Sequence, residues 1–179
     1  MNDLMIDIET LSTASDAAIM AIAAVPFSRL DGPHPSYYCW KISLESAIQH
    51  GSLEADTIEF WINRGPILQN ECSEALGNVL SDLSSIIGDD TKVWSKGPGF
   101  DMAILKSAFR SCNIPIGWKY YNERCVRTVM DLAGLKSKDI ELPVGFIHDF
   151  GKHDPIYDCY MQVEAVVKSL QIINESSIR

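Results

Sequence analysis

Apolar and polar residues alternate at the start of the chain as they do in a β-strand. From residue 3 to residue 9, one side of an extended chain is aliphatic and the other is more polar: Leu4, Ile6 and Ile8 against Met5, Asp7 and Glu9. This period of two predicts a strand with one buried face. Two further strand patterns, at 20–27 and 37–42, are joined by a turn-rich segment at 29–35. The beginning of the chain is therefore predicted to be an antiparallel meander.

Helical spacing of apolar residues dominates the remaining chain. The predicted helices lie at 43–64 (two short ones), 72–87, 100–112 and 126–133, with short strands at 92–95 and 118–121 and a loop at 134–152. A last helix is predicted after Asp154, which is suited to cap it, and Pro155, which suits the first helical position. Three strands followed by helix, strand, helix, strand and helix predict an α/β fold with a mixed sheet.

Composition supports an ordinary globular protein. Hydrophobic residues make up 46% and charged residues 22% of 179 residues, which is typical of one folded domain spanning 1–179. The 15 Lys and Arg residues are outnumbered by 24 Asp and Glu residues, so the net charge is -9. A broad basic surface for nucleic acid is therefore disfavoured, and a polyanionic substrate would need metal ions or a small basic patch.

Cysteine spacing and the absence of an export pattern predict a cytoplasmic protein. The five cysteines lie far apart without a CxxC pair, so neither a disulfide framework nor a zinc site is indicated. The apolar run at 17–27 is too short to span a bilayer, and acidic residues precede it where a signal peptide carries positive charge. No membrane association is expected.

Asp7 and Glu9 are the first candidates for chemistry. Residues two apart on a strand project from the same face, so their carboxylates lie side by side. Both stay ionised at neutral pH only if a cation lies between them, and hard oxygen ligands suit Mg²⁺ or Mn²⁺. The alternative is that both acids simply face water near the end of the strand.

Asp101 is the second candidate, because it begins a helix after a strand and a Gly-Pro-Gly loop. In the alternative interpretation, its carboxylate merely favours the positive end of the helix dipole. The third candidate is the segment HDPIYD at 153–158, in which Asp158 could reach back toward the loop carrying His153. Its alternative is a capping Asp154, a solvated Asp158 and an ordinary loop histidine.

Together these signals resemble the DEDDh-type 3′-to-5′ exonucleases. The segment IDIET at 6–10 is similar to the first motif of that family, and WSKGPGFDMAIL at 94–105 is similar to the second. The second motif and RCVRT at 124–128 have the form found in the branch around phage exonuclease A and the exodeoxyribonuclease VIII nuclease domain. The resemblance extends from residue 4 to about residue 165. Pro155, Ile156 and Tyr157 depart from the usual residues before the last acid, and family spacing favours Asp158 over Asp154.

The resemblance implies an RNase H-like fold with a five-stranded mixed sheet flanked by helices. It also implies two divalent ions, Mg²⁺ or Mn²⁺, which Asp7, Glu9, Asp101 and Asp158 would hold about 4 Å apart for in-line displacement at phosphorus. His153 would accept a proton from the attacking water, since its ordinary pKa is about 6.5. The implied partner is nucleic acid with a free 3′ end. Homodimers occur in the family, so a homodimer is one expectation.

Five further residues are candidates for substrate binding. Thr10 and Leu11 lie where the family grips the terminal nucleotide, although a capping hydroxyl and a core leucine would explain them as well. Phosphate contacts are predicted for three cations, Lys96, Arg124 and Arg127, whose alternative is a surface charge or a structural ion pair. Phe60, Trp61 and Trp118 could stack on bases, but packing is favoured for them.

Three functions remain open from the sequence. The first is a metal-dependent exonuclease that releases 5′-mononucleotides from the 3′ ends of DNA or RNA. The second is an oligoribonuclease-like enzyme acting on very short RNAs. The third is an exonuclease-like domain that binds nucleic acid without cutting it, which the presence of all five motif residues disfavours.

Overall fold

The computed structural model describes residues 2–63, 73–142 and 154–176. Within these ranges the strands are β1 (Asp3–Thr10), β2 (Ile19–Ser28), β3 (Gly32–Pro33), β4 (Tyr38–Lys41), β5 (Lys92–Ser95) and β6 (Glu123–Cys125). The α-helices are α1 (Leu44–His50), α2 (Ala55–Ile62), α3 (Leu76–Ser85), α4 (Asp101–Ser111), α5 (Val126–Leu132) and α6 (Pro155–Ser176). Two 3₁₀ turns lie at Tyr120–Asn122 and Ser137–Asp139.

All six strands form one mixed sheet. Its order is β3-β2-β1-β5-β6, and β4 pairs with β2 beside β3. Strand β1 is antiparallel to β2 and parallel to β5, and β5 is parallel to β6. Because the carboxyl ends of the parallel strands meet at one edge, the segments that follow β1, β5 and β6 converge there.

Two hydrophobic cores cover the two faces of the sheet. On one face Leu4, Ile6 and Ile8 pack with apolar residues of α3 and α4. On the other, Met5 packs with residues of α5 and α6, and α6 lies across β1, β2 and β3. The prediction of a single buried face for β1 is therefore wrong, because α6 covers the second face and leaves only Asp7 and Glu9 half-buried there.

The α/β architecture with a mixed sheet is confirmed, as is the antiparallel meander. The sheet has six strands rather than five, because Gly32 and Pro33 in the expected turn pair with Ser28 and Phe27. The C-terminal helix begins as expected, since the backbone N–H of Ile156 donates to Oδ1 of Asp154 at 2.9 Å.

The strand predicted at 118–121 is wrong. Trp118 is buried edge-on against Phe109 and donates its indole N–H to Glu123 at 2.9 Å, while Tyr120 and Tyr121 are 80% and 57% exposed. Aromatic residues favour strands in general, but these pack individually rather than as one alternating face. The strand begins only at Glu123.

Among the described residues, no helix combines the length and apolar character needed to cross a membrane.

Candidate active site

Strand β1 carries two carboxylates into a crevice beside α6. Asp7 and Glu9 share one face of β1, and their antiparallel partners on β2 are Ala23 and Ala21. These small side chains leave space above the sheet at the end of the strand. Both acids are half-buried rather than fully solvated.

Helix α6 brings a third carboxylate to this pair. Asp154 caps the helix, and Asp158 follows one turn later, with its backbone N–H donating to the Asp154 carbonyl at 3.0 Å. Oxygen atoms of Asp7, Glu9 and Asp158 all lie within 4.8 Å of one another. The structure thus brings these three predicted residues together, and it gives Asp154 the capping role.

Asp101 approaches the same crevice from the first turn of α4. The Gly97 carbonyl accepts the backbone N–H groups of Phe100 and Asp101 at 2.7 and 3.1 Å, which fixes the turn between β5 and α4. The Asp101 side chain is held inward, where the residue is only 6% exposed. All four acids line one cleft of about 210 Å³, together with Ile8, Lys96, Gly97, Phe100 and Arg127.

The crowding of these acids has a large electrostatic cost. Burial, followed by the charges of Asp101 and Asp158, raises the pKa of Asp7 well above its usual range. Burial and the Asp7 carboxylate likewise raise the pKa of Glu9 to about 9. Burial raises the pKa of Asp101 to about 6, although hydrogen bonds and the Arg127 charge oppose the shift. Without a cation, this cleft would hold protons at neutral pH.

The donor set fits a divalent cation. Carboxylate oxygens are the ligands that hard divalent ions prefer, and three of them already lie within reach of a common centre. Such an ion would favour the ionised form of every acid in the cleft.

One contact to this cluster is not indicated by any sequence motif. Gln162 is 4% exposed and donates its side-chain N–H to Oδ1 of Asp7 at 2.6 Å. The available signal was its position four residues after Asp158, which places both side chains on one face of α6.

A second groove of about 310 Å³ adjoins the acidic cleft. Ile8, Glu9 and Phe100 line both, and Thr10, Phe60 and Asp56 are among the other residues of the second groove. The Thr10 hydroxyl donates to the Ser12 carbonyl at 2.7 Å. Leu11 is 2% exposed, belongs to the first core and is not among the residues lining the groove.

The predicted phosphate-binding cations separate into two groups. Lys96 and Arg127 line the acidic cleft, and a side chain at position 97 would come within 3.0 Å of the Arg127 guanidinium, so Gly97 permits its approach. Arg124 is not among the residues lining that cleft. Its guanidinium donates instead to the carbonyls of Tyr121 and Glu123, both at 2.8 Å.

The aromatic candidates pack as favoured, since the indole N–H groups of Trp61 and Trp118 are bonded inside the protein. Phe60 and Trp61 also line the second groove. His153 lies outside the described residues, one position before they resume at Asp154.

Comparison with known proteins agrees with this geometry. The chain is 27% identical over 201 residues to the exodeoxyribonuclease of Enterobacteria phage T4. The aligned region covers 89% of this chain and 85% of the phage protein. Exonuclease X, solved with 5′-overhanging duplex DNA, superposes with a TM-score of 0.63 at 14% identity, covering 98% of this chain and 93% of the other. The zinc-bound exonuclease I–ssDNA complex of E. coli gives a TM-score of 0.65 at 13% identity, covering 99% of this chain and 41% of the other.

These likenesses confirm the RNase H-like fold and the resemblance to 3′-to-5′ exonucleases. Residues 2–170 match the family described as the Rv2179c-like 3′-5′ exoribonuclease domain, which is nearly the whole chain. The chain therefore belongs to this family of 3′-5′ exonucleases.

Proposed function

We propose that Asp7, Glu9, Asp101 and Asp158 hold two divalent ions, Mg²⁺ or Mn²⁺, for the 3′-5′ exonuclease reaction of this chain. The observation that carries the proposal is the cluster itself, with three carboxylates within 4.8 Å and the fourth lining the same cleft. Held by these four carboxylates, such ions would supply an activated water and stabilisation of the charge on the leaving oxygen.

The side chains of the cleft have separate tasks in this proposal. Lys96 and Arg127 are the cations that line it, and they are suited to orient the phosphate beside the acids. His153 directly precedes the capped start of α6, one turn before Asp158, and is proposed to accept the proton of the attacking water.

The adjoining groove is proposed to receive the terminal nucleoside. It shares Glu9 and Phe100 with the acidic cleft, so a nucleoside there would lie next to the acids. Phe60 and Phe100 offer aromatic surface for a base, and Thr10 closes the groove on the side of β1. Binding energy at the terminal nucleoside would orient the adjacent phosphodiester for in-line attack.

The sugar preference is a separate question. The family is described as exoribonucleases, whereas the phage relative is named an exodeoxyribonuclease. RNA and DNA strands of one sequence therefore need to be compared directly, because recognition of the 2′-hydroxyl depends on individual contacts.

The test uses the purified chain with 5′-labelled single strands of RNA and DNA and with closed circles of each. With Mg²⁺ or Mn²⁺, we expect stepwise shortening from the 3′ end and release of 5′-mononucleotides, and no reaction with a chelator. Circles should resist cutting. If circles are cut as fast as linear strands, the protein is an endonuclease, and binding without cutting under every metal condition would indicate a non-catalytic module.

A further inference from the structure

Gln162 is a buried polar residue directly behind the acidic cluster. It lies one turn after Asp158 on α6, is 4% exposed, and contacts Asp7 through a hydrogen bond of 2.6 Å from Nε2 to Oδ1. Its neighbours along the buried side of the helix, such as Cys159, Val163 and Val166, belong to the second core. An amide at this position therefore requires an explanation.

Packing alone does not explain the amide. The nitrogen of Gln162 faces Asp7 and its oxygen faces away, which is the orientation that a cation-binding, ionised carboxylate requires because it only accepts hydrogen bonds. That oxygen is buried, and no described residue donates a hydrogen bond to it. A buried unsatisfied oxygen destabilises the folded protein, and a leucine or methionine of similar size would avoid that cost.

The surroundings of Gln162 link it to a second residue of the cleft. Gln162 and Lys96 both line a small cavity of about 30 Å³ between the sheet and helices α5 and α6. A donor in this space, either the Lys96 ammonium or one water, fits the volume and the chemistry of the amide oxygen. Satisfying that oxygen would keep the nitrogen directed at Asp7.

We propose that Gln162 is a positioning residue that fixes the rotation of the Asp7 carboxylate for the cation. The Asp7 carboxylate lies close to those of Glu9 and Asp158 despite their mutual repulsion. The hydrogen bond from the Gln162 amide holds the Asp7 carboxylate in that arrangement. Loss of such an outer hydrogen bond to a metal ligand typically weakens metal affinity 10- to 100-fold. The inference rests on the proposed metal site and specifies which residue supports it.

The test measures Mn²⁺ affinity by calorimetry, in the absence of nucleic acid, for wild type, Gln162→Leu and Gln162→Met. Both variants should bind Mn²⁺ about 10- to 100-fold more weakly. In the nuclease assay, the Mn²⁺ concentration for half-maximal rate should rise by a similar factor, while kcat at saturating Mn²⁺ changes much less. A general loss of structure would lower kcat as well.

Ser169→Ala is the matched control on the same helix. Ser169 is fully buried, and its hydroxyl donates to the Ala165 carbonyl at 2.6 Å, away from the acids. This variant should bind Mn²⁺ within twofold of wild type. Equal weakening by Ser169→Ala would overturn the proposal, and so would normal Mn²⁺ affinity in the two Gln162 variants. If wild type itself binds no Mn²⁺, the proposed metal site fails rather than the role of Gln162 alone.

Discussion

Two of the acids on strand β1, Asp3 and Asp7, lie four residues apart on the same face and in opposite electrostatic environments. Asp3 is 9% exposed and accepts hydrogen bonds from Arg29 at 2.7 and 3.0 Å and from the Trp94 indole at 2.7 Å. The Arg29 guanidinium also lies 5.5 Å from the centre of the Trp94 ring. The protein itself supplies the cation that Asp3 needs.

Asp7, at the other end of the strand, lies among the carboxylates of Glu9, Asp101 and Asp158, and the Lys96 charge only partly offsets their effect on its pKa. Among the described residues it forms no ion pair, and its hydrogen-bonding partner is the neutral amide of Gln162. Burial and then the neighbouring acids raise the pKa of Asp7 well above its usual range. An unneutralised cluster of this kind lowers stability, which is typical of a site that binds a cation from solution.

The largest contrast is expected between Asp7→Asn and Asp3→Asn. Asp7→Asn removes a proposed metal ligand, so we expect it to lose several kcal/mol of transition-state stabilisation. This loss corresponds to a rate about 10⁴-fold below that of wild type. The same change removes a carboxyl group whose pKa is raised by burial and by its acidic neighbours, which costs the metal-free protein stability, so the metal-free variant should unfold at a higher temperature than wild type. Nuclease assays and thermal unfolding in a chelator measure the two effects.

Asp3→Asn should have the opposite effects, lowering stability while leaving activity intact. It breaks the pair with Arg29, whose side chain is 42% exposed, so we expect a loss of about 1–3 kcal/mol in the free energy of unfolding. Metal-dependent activity should remain. If Asp3→Asn abolished activity in the folded protein, the division between a structural acid and a metal-binding acid would be wrong.

A smaller rate effect is expected for His153→Ala. A general base contributes about 10²- to 10⁴-fold in rate, whereas the carboxylate ligands are unchanged and Mn²⁺ should bind normally. The wild-type rate should decline toward acidic pH, because a protonated general base cannot accept the proton of water. If the variant keeps the same acid limb in its pH profile, His153 is not the base.

Arg127→Ala and Arg124→Ala should differ about tenfold in KM. Arg127 lines the acidic cleft, and a lost hydrogen bond to a charged phosphate costs at least about 1.5 kcal/mol. Arg124 is bonded to two backbone carbonyls, so its removal should lower stability slightly and leave KM nearly unchanged. Steady-state kinetics on one labelled strand give both KM values. Equal increases in KM would indicate that Arg124 also contacts the substrate.

The smallest effect is a pH dependence of stability in the metal-free protein. The pKa of Asp101 is raised from 3.8 to about 6 and that of Glu9 from 4.5 to about 9, so the native state retains protons that the unfolded chain has released. Stability from these groups is therefore complete at acidic pH and is lost as pH rises toward 9.

Thermal unfolding with a chelator should accordingly show a lower midpoint at pH 9 than at pH 6. Added Mg²⁺ should reduce this difference, since metal binds the deprotonated carboxylates more tightly as pH rises. A midpoint in the chelator that does not change with pH would argue against the raised pKa values.

Local patterns account for what the sequence predicted correctly. Alternation in β1, helical spacing in α3 and α4, and the Asp154–Pro155 start of α6 depend on neighbours in the chain, so the element order could be predicted. The motif spacing then identified the three carboxylates that the structure brings within 4.8 Å. It also identified Asp101, which lines the same cleft.

The features that the sequence did not predict depend on tertiary packing. Nothing near Gln162 in the sequence shows that β1 passes beneath it. Likewise, residues 118–121 have aromatic character suited to a strand, but Trp118 packs against Phe109 of α4 while Tyr120 and Tyr121 are exposed.

The most direct test of the central claim is an anomalous difference map from a crystal soaked in Mn²⁺. We predict density in the cleft between Asp7, Glu9, Asp101 and Asp158, and none beside Asp3, where Arg29 already neutralises the acid. Density that avoids the four carboxylates in a crystal with an open cleft would contradict the proposed metal site.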